Sequence, residues 1–293
     1  MATDLGLKVN LACVWEATAR KAGNVHPFAS FSDLAYNDFL VGALLLARSA
    51  DLSARNAWVG GLITSAVRQT RRLGRSNVNL GLILLLAPLA KATHAGDWRA
   101  ALPPLLDGIG LRETALVYQA IRLAQPGGLG QSDEQDVSQE PTIPLRQAMA
   151  LAADRDLIAR QYANGFAEVF DEVVPALCAG LDRTGCLEGA ILWTQLNVMA
   201  EHPDSLILRK RGPAEAEESR QRAQDVLEAG WPEKVQAREA YAQFDAWLRA
   251  VGHQRNPGTT ADLIAAGLFV ALHEGTIPLP CPWPWSCEGI VGV

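Results

Sequence analysis

The chain has no basic excess: Lys and Arg total 26 against 32 Asp and Glu, a net charge of −6. A protein that coats nucleic acid needs surplus cations to displace counterions from phosphates. Nucleic acid is therefore not the expected partner, although local basic clusters can still hold a small polyanion. Long hydrophobic runs are also missing. The longest uncharged apolar stretch, Ser76 to Ala90, sits between Arg75 and Lys91. A membrane-spanning helix needs about 20 residues, so this stretch reads as a buried helix. The start, Met-Ala-Thr-Asp, lacks the basic region of a secretion signal. Together these absences point to a soluble cytoplasmic protein with no membrane partner.

The five cysteines, at 13, 178, 186, 281 and 287, form no CxxC pair, so neither a zinc ribbon nor a thioredoxin-like site is supported. Cys281 and Cys287 bracket Pro-Trp-Pro-Trp-Ser, and reduced thiols are expected there in a reducing compartment. Standard catalytic motifs are absent as well. There is no G-x-x-x-x-G-K-[ST], no H-E-x-x-H and no G-x-S-x-G. The glycines at 127, 128 and 130 do not link a strand to a helix, which leaves a Rossmann site unsupported. The five histidines are scattered.

What is present is helical periodicity over most of the 293 residues, with hydrophobic residues at 49% supplying a sizeable core. Leu7, Leu11, Val14 and Trp15 share one face. Ser32 is placed to cap a second helix, with Asp33 in its first turn. A third runs from about Ser53 to Leu73 and stops at Gly74. A fourth starts near Asn77 and should kink or end at Pro88. Leu111 to Leu123 form another, and periodicity returns from Leu145 through Leu181. Later helices fit 187–200, 214–229, 231–251 and 260–273. Alternating strand patterns are nearly absent. The expected fold is all-α: a single globular multi-helix domain over 1–293 with buried central helices. A surface loop at 126–144 and an extended, Trp-rich tail at 277–293 complete it. The tail could cover the protein's own core or a partner copy, so a homo-oligomer is open.

Five segments concentrate charge, Gly and Asn at helix ends. "EATARKAGNVHP" carries Glu16, Lys21, Gly23 and Asn24, with Asp38 shortly beyond. "RRLGRSNVNLG" places three arginines before Asn77, Asn79 and Gly81, a ready anion site. "DRDLIAR" sets Asp154, Arg155 and Asp156 in an apolar helical pattern. "DSLILRKRG" offers Asp204 to a metal and Arg209, Lys210 and Arg211 to phosphates. "NPGTTAD" is a turn followed by a Thr-capped helix bearing Asp262. Each has a bland reading as a cap or a solvated face. Together they suggest a polyphosphate site with one or two divalent cations.

At these same segments the chain resembles the ATP:dephospho-CoA triphosphoribosyltransferase family. Its P-K-P-G-N/L-V signature corresponds to "ARKAGNV", with Arg20 and Ala22 in place of the two prolines. "FSDLAYNDFLVGA", "RSNVNLGLILLLAPLA" and "NPGTTADLIAAGLF" match its later motifs through Asp38, Asn77, Asn79, Gly81, Asn256, Gly258 and Asp262. The T-H-K-G and G-A-R-G-E patterns of the citrate-lyase branch are missing.

The resemblance implies an all-α transferase with Mg²⁺ as cofactor. It would move the triphosphoribosyl group of ATP to a ribose hydroxyl of 3'-dephospho-CoA, releasing adenine. It implies Glu16, Asp38 and Asp262 as catalytic candidates, and Glu16, Asp38 and Asp204 as metal ligands. The candidates for substrate contact are Lys21, Gly23, Asn24, Asn77, Asn79, Gly81, Arg155, Arg209, Lys210, Asn256, Gly258 and Thr259. Replacing Glu16 by Gln is expected to remove turnover and leave the fold intact. Two alternatives stay open: another acceptor in a different cofactor pathway, such as a one-carbon carrier, or a non-catalytic nucleotide-binding protein.

Overall fold

The computed structural model describes residues 5–53, 58–73 and 79–283. Asn77 lies outside them. Among the described residues no strand forms; two isolated bridges, His26 to Ala29 and Phe31 to Leu34, are the extended pairings. The all-α expectation holds. No described helix is long and apolar enough to cross a membrane.

Contacts divide the chain into two compact units, with the boundary falling inside the first helix, α1 (Leu5–Thr18). The first unit takes 1–14 and 37–167, the second 15–36 and 168–293.

In the first unit follow α2 (Tyr36–Ser53), α3 (Val59–Leu73), α4 (Leu80–Ala92), α5 (Trp98–Asp107), α6 (Leu111–Ala124), α7 (Leu145–Ala150) and α8 (Leu157–Asn164). The α3 helix packs chiefly on α6, and α4 touches α3, α5 and α8. Between α6 and α7, residues 126–144 form a helix-free loop, as its composition suggests. Tyr118 Oη of α6 donates to Gln135 O at 2.8 Å, and Arg122 Nη1 to Val137 O at 2.6 Å. Two stretches depart from periodicity. No helix follows Ser32; α2 starts at Tyr36, because two tight turns occupy 26–34. The run from 145 to 181 is broken, because Asp156 turns the chain and caps α8 by accepting from Ile158 N and Ala159 N.

Pro88 neither ends nor shortens α4. It has no N–H for the Leu84 carbonyl four residues back, and that carbonyl instead accepts from the wholly buried Tyr162 Oη of α8 at 2.6 Å. Burial pushes the Tyr162 phenol well above its usual range, so it remains a donor. Tyr162→Phe should leave the Leu84 carbonyl buried without a partner and cost about 1–3 kcal/mol. A denaturant titration checks this.

The second unit holds a π-helical turn (Val169–Val173), then α9 (Val174–Thr184), α10 (Leu187–Glu201), α11 (Ser205–Arg211), α12 (Pro213–Glu228), α13 (Val235–Arg249) and α14 (Gly258–Glu274). The α14 helix is the buried centre. It is apolar all round, as a helix enclosed by others must be, and it packs against the π-turn, α9, α10 and α11. Trp231, read from the sequence as opening a helix, instead precedes α13 and is stacked between Trp193 and Tyr241. Cys281 carries a free thiol, and Cys287 lies outside the described residues. The described part of the tail is held where Leu187 N donates to Pro282 O.

Candidate functional site

In the second unit three of the five polar segments are tied into one network. Its core is the turn at 19–24, which leaves α1. Glu16 sits on the last turn of α1, 5% exposed; Lys21 is 0% exposed. Their side chains pair at 2.8 Å, and Lys21 Nζ also donates to the Glu16 carbonyl. A lone ammonium at that depth would be prohibitively desolvated, so the pairing is what allows Lys21 to be charged and buried. The expectation that Lys21 holds phosphate is corrected on this ground: its charge is spent inside the protein. Glu16 uses one carboxylate oxygen on Lys21 and keeps Oε2 without a protein partner among the described residues.

The two positions where the family motif has proline explain themselves here. Arg20 N donates to Glu188 Oε1 at 3.1 Å, and Ala22 N donates to Gln195 Oε1 at 2.9 Å. Proline could make neither bond. Glu188, 1% exposed at the start of α10, also takes the Arg20 guanidinium in a fork, Nε at 2.8 Å and Nη2 at 2.9 Å. Gln195 returns a bond to Ala22 O and reaches Asn24 Oδ1. Tyr241 Oη of α13 donates to Arg20 O at 2.9 Å.

Gly23 meets two requirements at once. Its φ is +71°, and a Cβ there would lie 2.8 Å from Leu248 Cβ. Its N–H donates to Asp245 Oδ1 at 2.7 Å, and Asp245 also holds Arg249, whose Nη2 donates to Asn24 O at 2.6 Å. Asn24 Nδ2 then donates to Asn256 Oδ1 at 2.6 Å, joining segments 232 residues apart. Gly258 and the buried Thr259 follow at the start of α14, and Asp262 stands half-buried one turn on.

The fourth segment folds differently from its expectation. "DSLILRKR" is not a charged loop but α11, and Asp204 is its cap. Asp204 Oδ1 accepts from Leu206 N and Ile207 N, while Oδ2 accepts from Thr260 N and Thr260 Oγ1, both at 2.8 Å. One buried carboxylate thus serves the N-termini of α11 and α14. Burial pushes its pKa up, against the pull of those four bonds. Contrary to the expectation from the sequence, Asp204 is not placed to hold a metal, because both oxygens are occupied by protein donors. Lys210 is half-buried with its ammonium on His253 O at 3.3 Å, and burial and then Arg209 lower its pKa. Asp33, in a turn rather than a helix, meets His253 Nδ1 at 3.0 Å.

His26 is one of the five scattered histidines, and no local pattern marks it. It is held neutral with a pKa of about 3, by burial first and then by Arg249, Lys21 and Arg20. Its Nδ1 accepts from Phe28 N at 3.3 Å, which leaves the proton on Nε2. The unfolded chain takes up a proton at this residue as pH falls below about 6.5, and the folded protein does not until about 3. This group therefore supports folding above that window and subtracts stability as pH falls through it. Comparing unfolding at pH 7 and pH 5 should show a smaller acid loss in His26→Gln than in the parent.

The remaining expected residues belong to the first unit. Asp38 is in the first turn of α2. Asn79 is buried ahead of α4, its amide so close to α2 that a Cβ on Gly42 would meet Asn79 Nδ2 at 1.6 Å. Gly81 follows in α4. Arg155 lies on the exposed turn before α8, donating to Leu151 O. Glu188, Gln195, Tyr241, Asp245 and Arg249 were missed from the sequence. Inside regular helices each looks like an ordinary surface or core residue, and no local pattern marks it.

Comparison with known proteins identifies the family of this helical chain. The model of the ATP:dephospho-CoA triphosphoribosyl transferase family matches residues 2–279, and the chain belongs to that family. A 2-(5''-triphosphoribosyl)-3'-dephosphocoenzyme-A synthase of Pseudomonas syringae pv. tomato is 27% identical over 156 residues, covering 47% of this chain. The match takes in 53% of that relative, so the chain spans about half the length of the curated protein it matches. A crystal structure from Archaeoglobus fulgidus, of a protein assigned as a triphosphoribosyl-dephospho-CoA synthase, superposes with a TM-score of 0.63 at 26% identity. It covers 80% of this chain and 99% of that one.

Proposed function

We propose that the protein transfers the triphosphoribosyl group of ATP to a ribose hydroxyl of 3'-dephospho-CoA and releases adenine. The observation that carries the reading is the turn at 19–24. Its family motif is locked between α10, α13 and the Asn256 segment, and through Lys21 it is paired with a buried carboxylate that keeps one oxygen unspent among the described residues. Bond exchange at C1' of the ATP ribose passes through a transition state with oxocarbenium character, as in glycoside hydrolysis. A carboxylate must accept the attacking hydroxyl's proton or stabilise the cation. Glu16 fits through Oε2. Its ion pair with Lys21 fixes the carboxylate in place before substrate arrives. The neutral Nε2–H of His26 is a donor suited to the departing base or to a sugar oxygen.

Mg²⁺ fits this reading as a companion of the triphosphate rather than as a caged ion. Among the described residues no group of three His, Cys, Asp or Glu is placed to hold a metal, and both oxygens of Asp204 accept from protein donors. Mg²⁺ in such sites is bound mostly by phosphates, water and one or two carboxylates. The soluble nucleotide substrates suit a cytoplasmic enzyme.

Mass spectrometry of reactions with Mg-ATP, without and with 3'-dephospho-CoA, tests the proposal. Adenine together with a triphosphoribosylated dephospho-CoA is the expected result. Adenine release without that adduct would overturn the acceptor, and no release at all would overturn the reaction.

A further inference from the structure

The first unit carries a groove that the turn at 19–24 does not include. It lies on α2, α3 and α6 and has a volume of about 690 Å³, within the usual range for small-molecule sites. Arg48 of α2 and Arg68 and Arg72 of α3 line it. The α3 positions 61, 65, 68 and 72 recur at helical spacing, so they share one face. No carboxylate is among the described residues that line the groove. Arg68 donates to Gln119 Oε1 at 3.1 Å. Arg48 and Arg72 have no ion-pair or hydrogen-bond partner among the described residues.

Three guanidinium groups gathered in one groove repel one another, and that repulsion is relieved by an anion of matching charge. The planar fork of arginine suits phosphate oxygens in particular. The polar groups between the arginines are arranged for an acceptor. Gln69 Nε2 donates to Ser65 Oγ and to Ser49 Oγ, each at 3.2 Å. Ser49 spends its own proton on Leu45 O at 2.9 Å. Ser65 receives its bond from Gln69 and has no acceptor among the described residues, so its O–H is available to a ligand. Leu45 and Leu116 supply apolar floor, which would take the flat side of a sugar or base.

We infer that this groove binds the polyphosphate group of a nucleotide substrate, through Arg48, Arg68, Arg72 and Ser65. That the ligand is a substrate rests on the reaction proposed above; the affinity for polyphosphate does not. Two sources share the chemistry, the triphosphate of ATP and the diphosphate of dephospho-CoA, and the experiment separates them.

Inorganic tripolyphosphate is titrated calorimetrically into the full-length protein and two variants. Arg48→Ala/Arg72→Ala removes two exposed side chains that support no other group, so its thermal melt should match the parent. Gly61→Leu leaves the charge unchanged; a Cβ at Gly61 meets nothing within 4 Å, and the larger side chain grows into the groove. Both variants should bind tripolyphosphate at least about tenfold more weakly, a change of about 1.4 kcal/mol. Affinity unchanged in either variant, or no binding by the parent, would overturn the inference. In the adenine-release assay the same variants should raise KM for one nucleotide. A rise for ATP names the triphosphate, and a rise for dephospho-CoA names the diphosphate. Unchanged KM for both would overturn the assignment to a substrate. A parent protein that releases no adenine would sink the proposed reaction instead, and the tripolyphosphate titration would still decide the groove.

Discussion

Replacing Lys21 by Met is expected to cost about 3–5 kcal/mol of stability, the effect of leaving one partner of a buried ion pair uncompensated. Lys21 is 0% exposed and Glu16 5%, at 2.8 Å, so water cannot take over the role of the missing ammonium. Glu16→Gln should be destabilising for the same reason, with the buried charge now on Lys21. This revises the view from the sequence, in which that substitution spared the fold. The double variant Glu16→Gln/Lys21→Met separates structure from chemistry. Two neutral side chains of similar volume in a buried ion-pair site are often as stable as the pair or more so, so most of the lost stability should return. Activity should not. If Glu16 handles the hydroxyl proton, kcat stays about 10²–10⁴-fold down in both variants that lack it. Urea unfolding and single-turnover adenine release on the three variants measure this. Recovery of activity in the double variant would remove Glu16 from the chemistry and leave the pair a structural role.

The second large effect belongs to Asp204. Asp204→Ala removes the acceptor for four donors at the starts of two helices. The buried Thr260 N–H and the Ile207 N–H would be left without partners. A single cap is worth about 0.5–2 kcal/mol, and this one serves two helices from a buried position, so about 3–4 kcal/mol is expected. Asp204→Asn should fall between. Its carbonyl can still cap one helix, but its NH₂ would face the Thr260 N–H, donor against donor. Neither loss should depend on Mg²⁺, and thermal melts with and without the ion check that. A loss that appears only in the presence of Mg²⁺ would restore Asp204 as a metal ligand.

These two residues also show how far the sequence could be read. Both stand in segments that the sequence singles out, and both carry charge where an ordinary helix would not. The sequence could not say what that charge meets. Lys21 reads as a phosphate ligand until the fold buries it beside Glu16. Asp204 reads as a metal ligand until Thr260, 56 residues on, closes over its second oxygen. Pro88 reads as a helix end until Tyr162, 78 residues away in sequence, serves the carbonyl that proline leaves open.

By itself the sequence determined what depends on neighbours a few residues apart. Apolar residues at helical spacing set the all-α class. The Gly-Asn turn and the "NPG" turn set where helices begin and end, since caps and turns are local hydrogen-bond chemistry. Tertiary structure alone decided the pairings: Glu188 and Gln195 on the turn at 19–24, Asp245 and Arg249 on Gly23 and Asn24, and Asn24 on Asn256. These contacts join positions 168 to 232 residues apart, a distance over which periodicity carries no information. They are fixed only when packing removes water and each buried charge or amide must find a partner inside the protein.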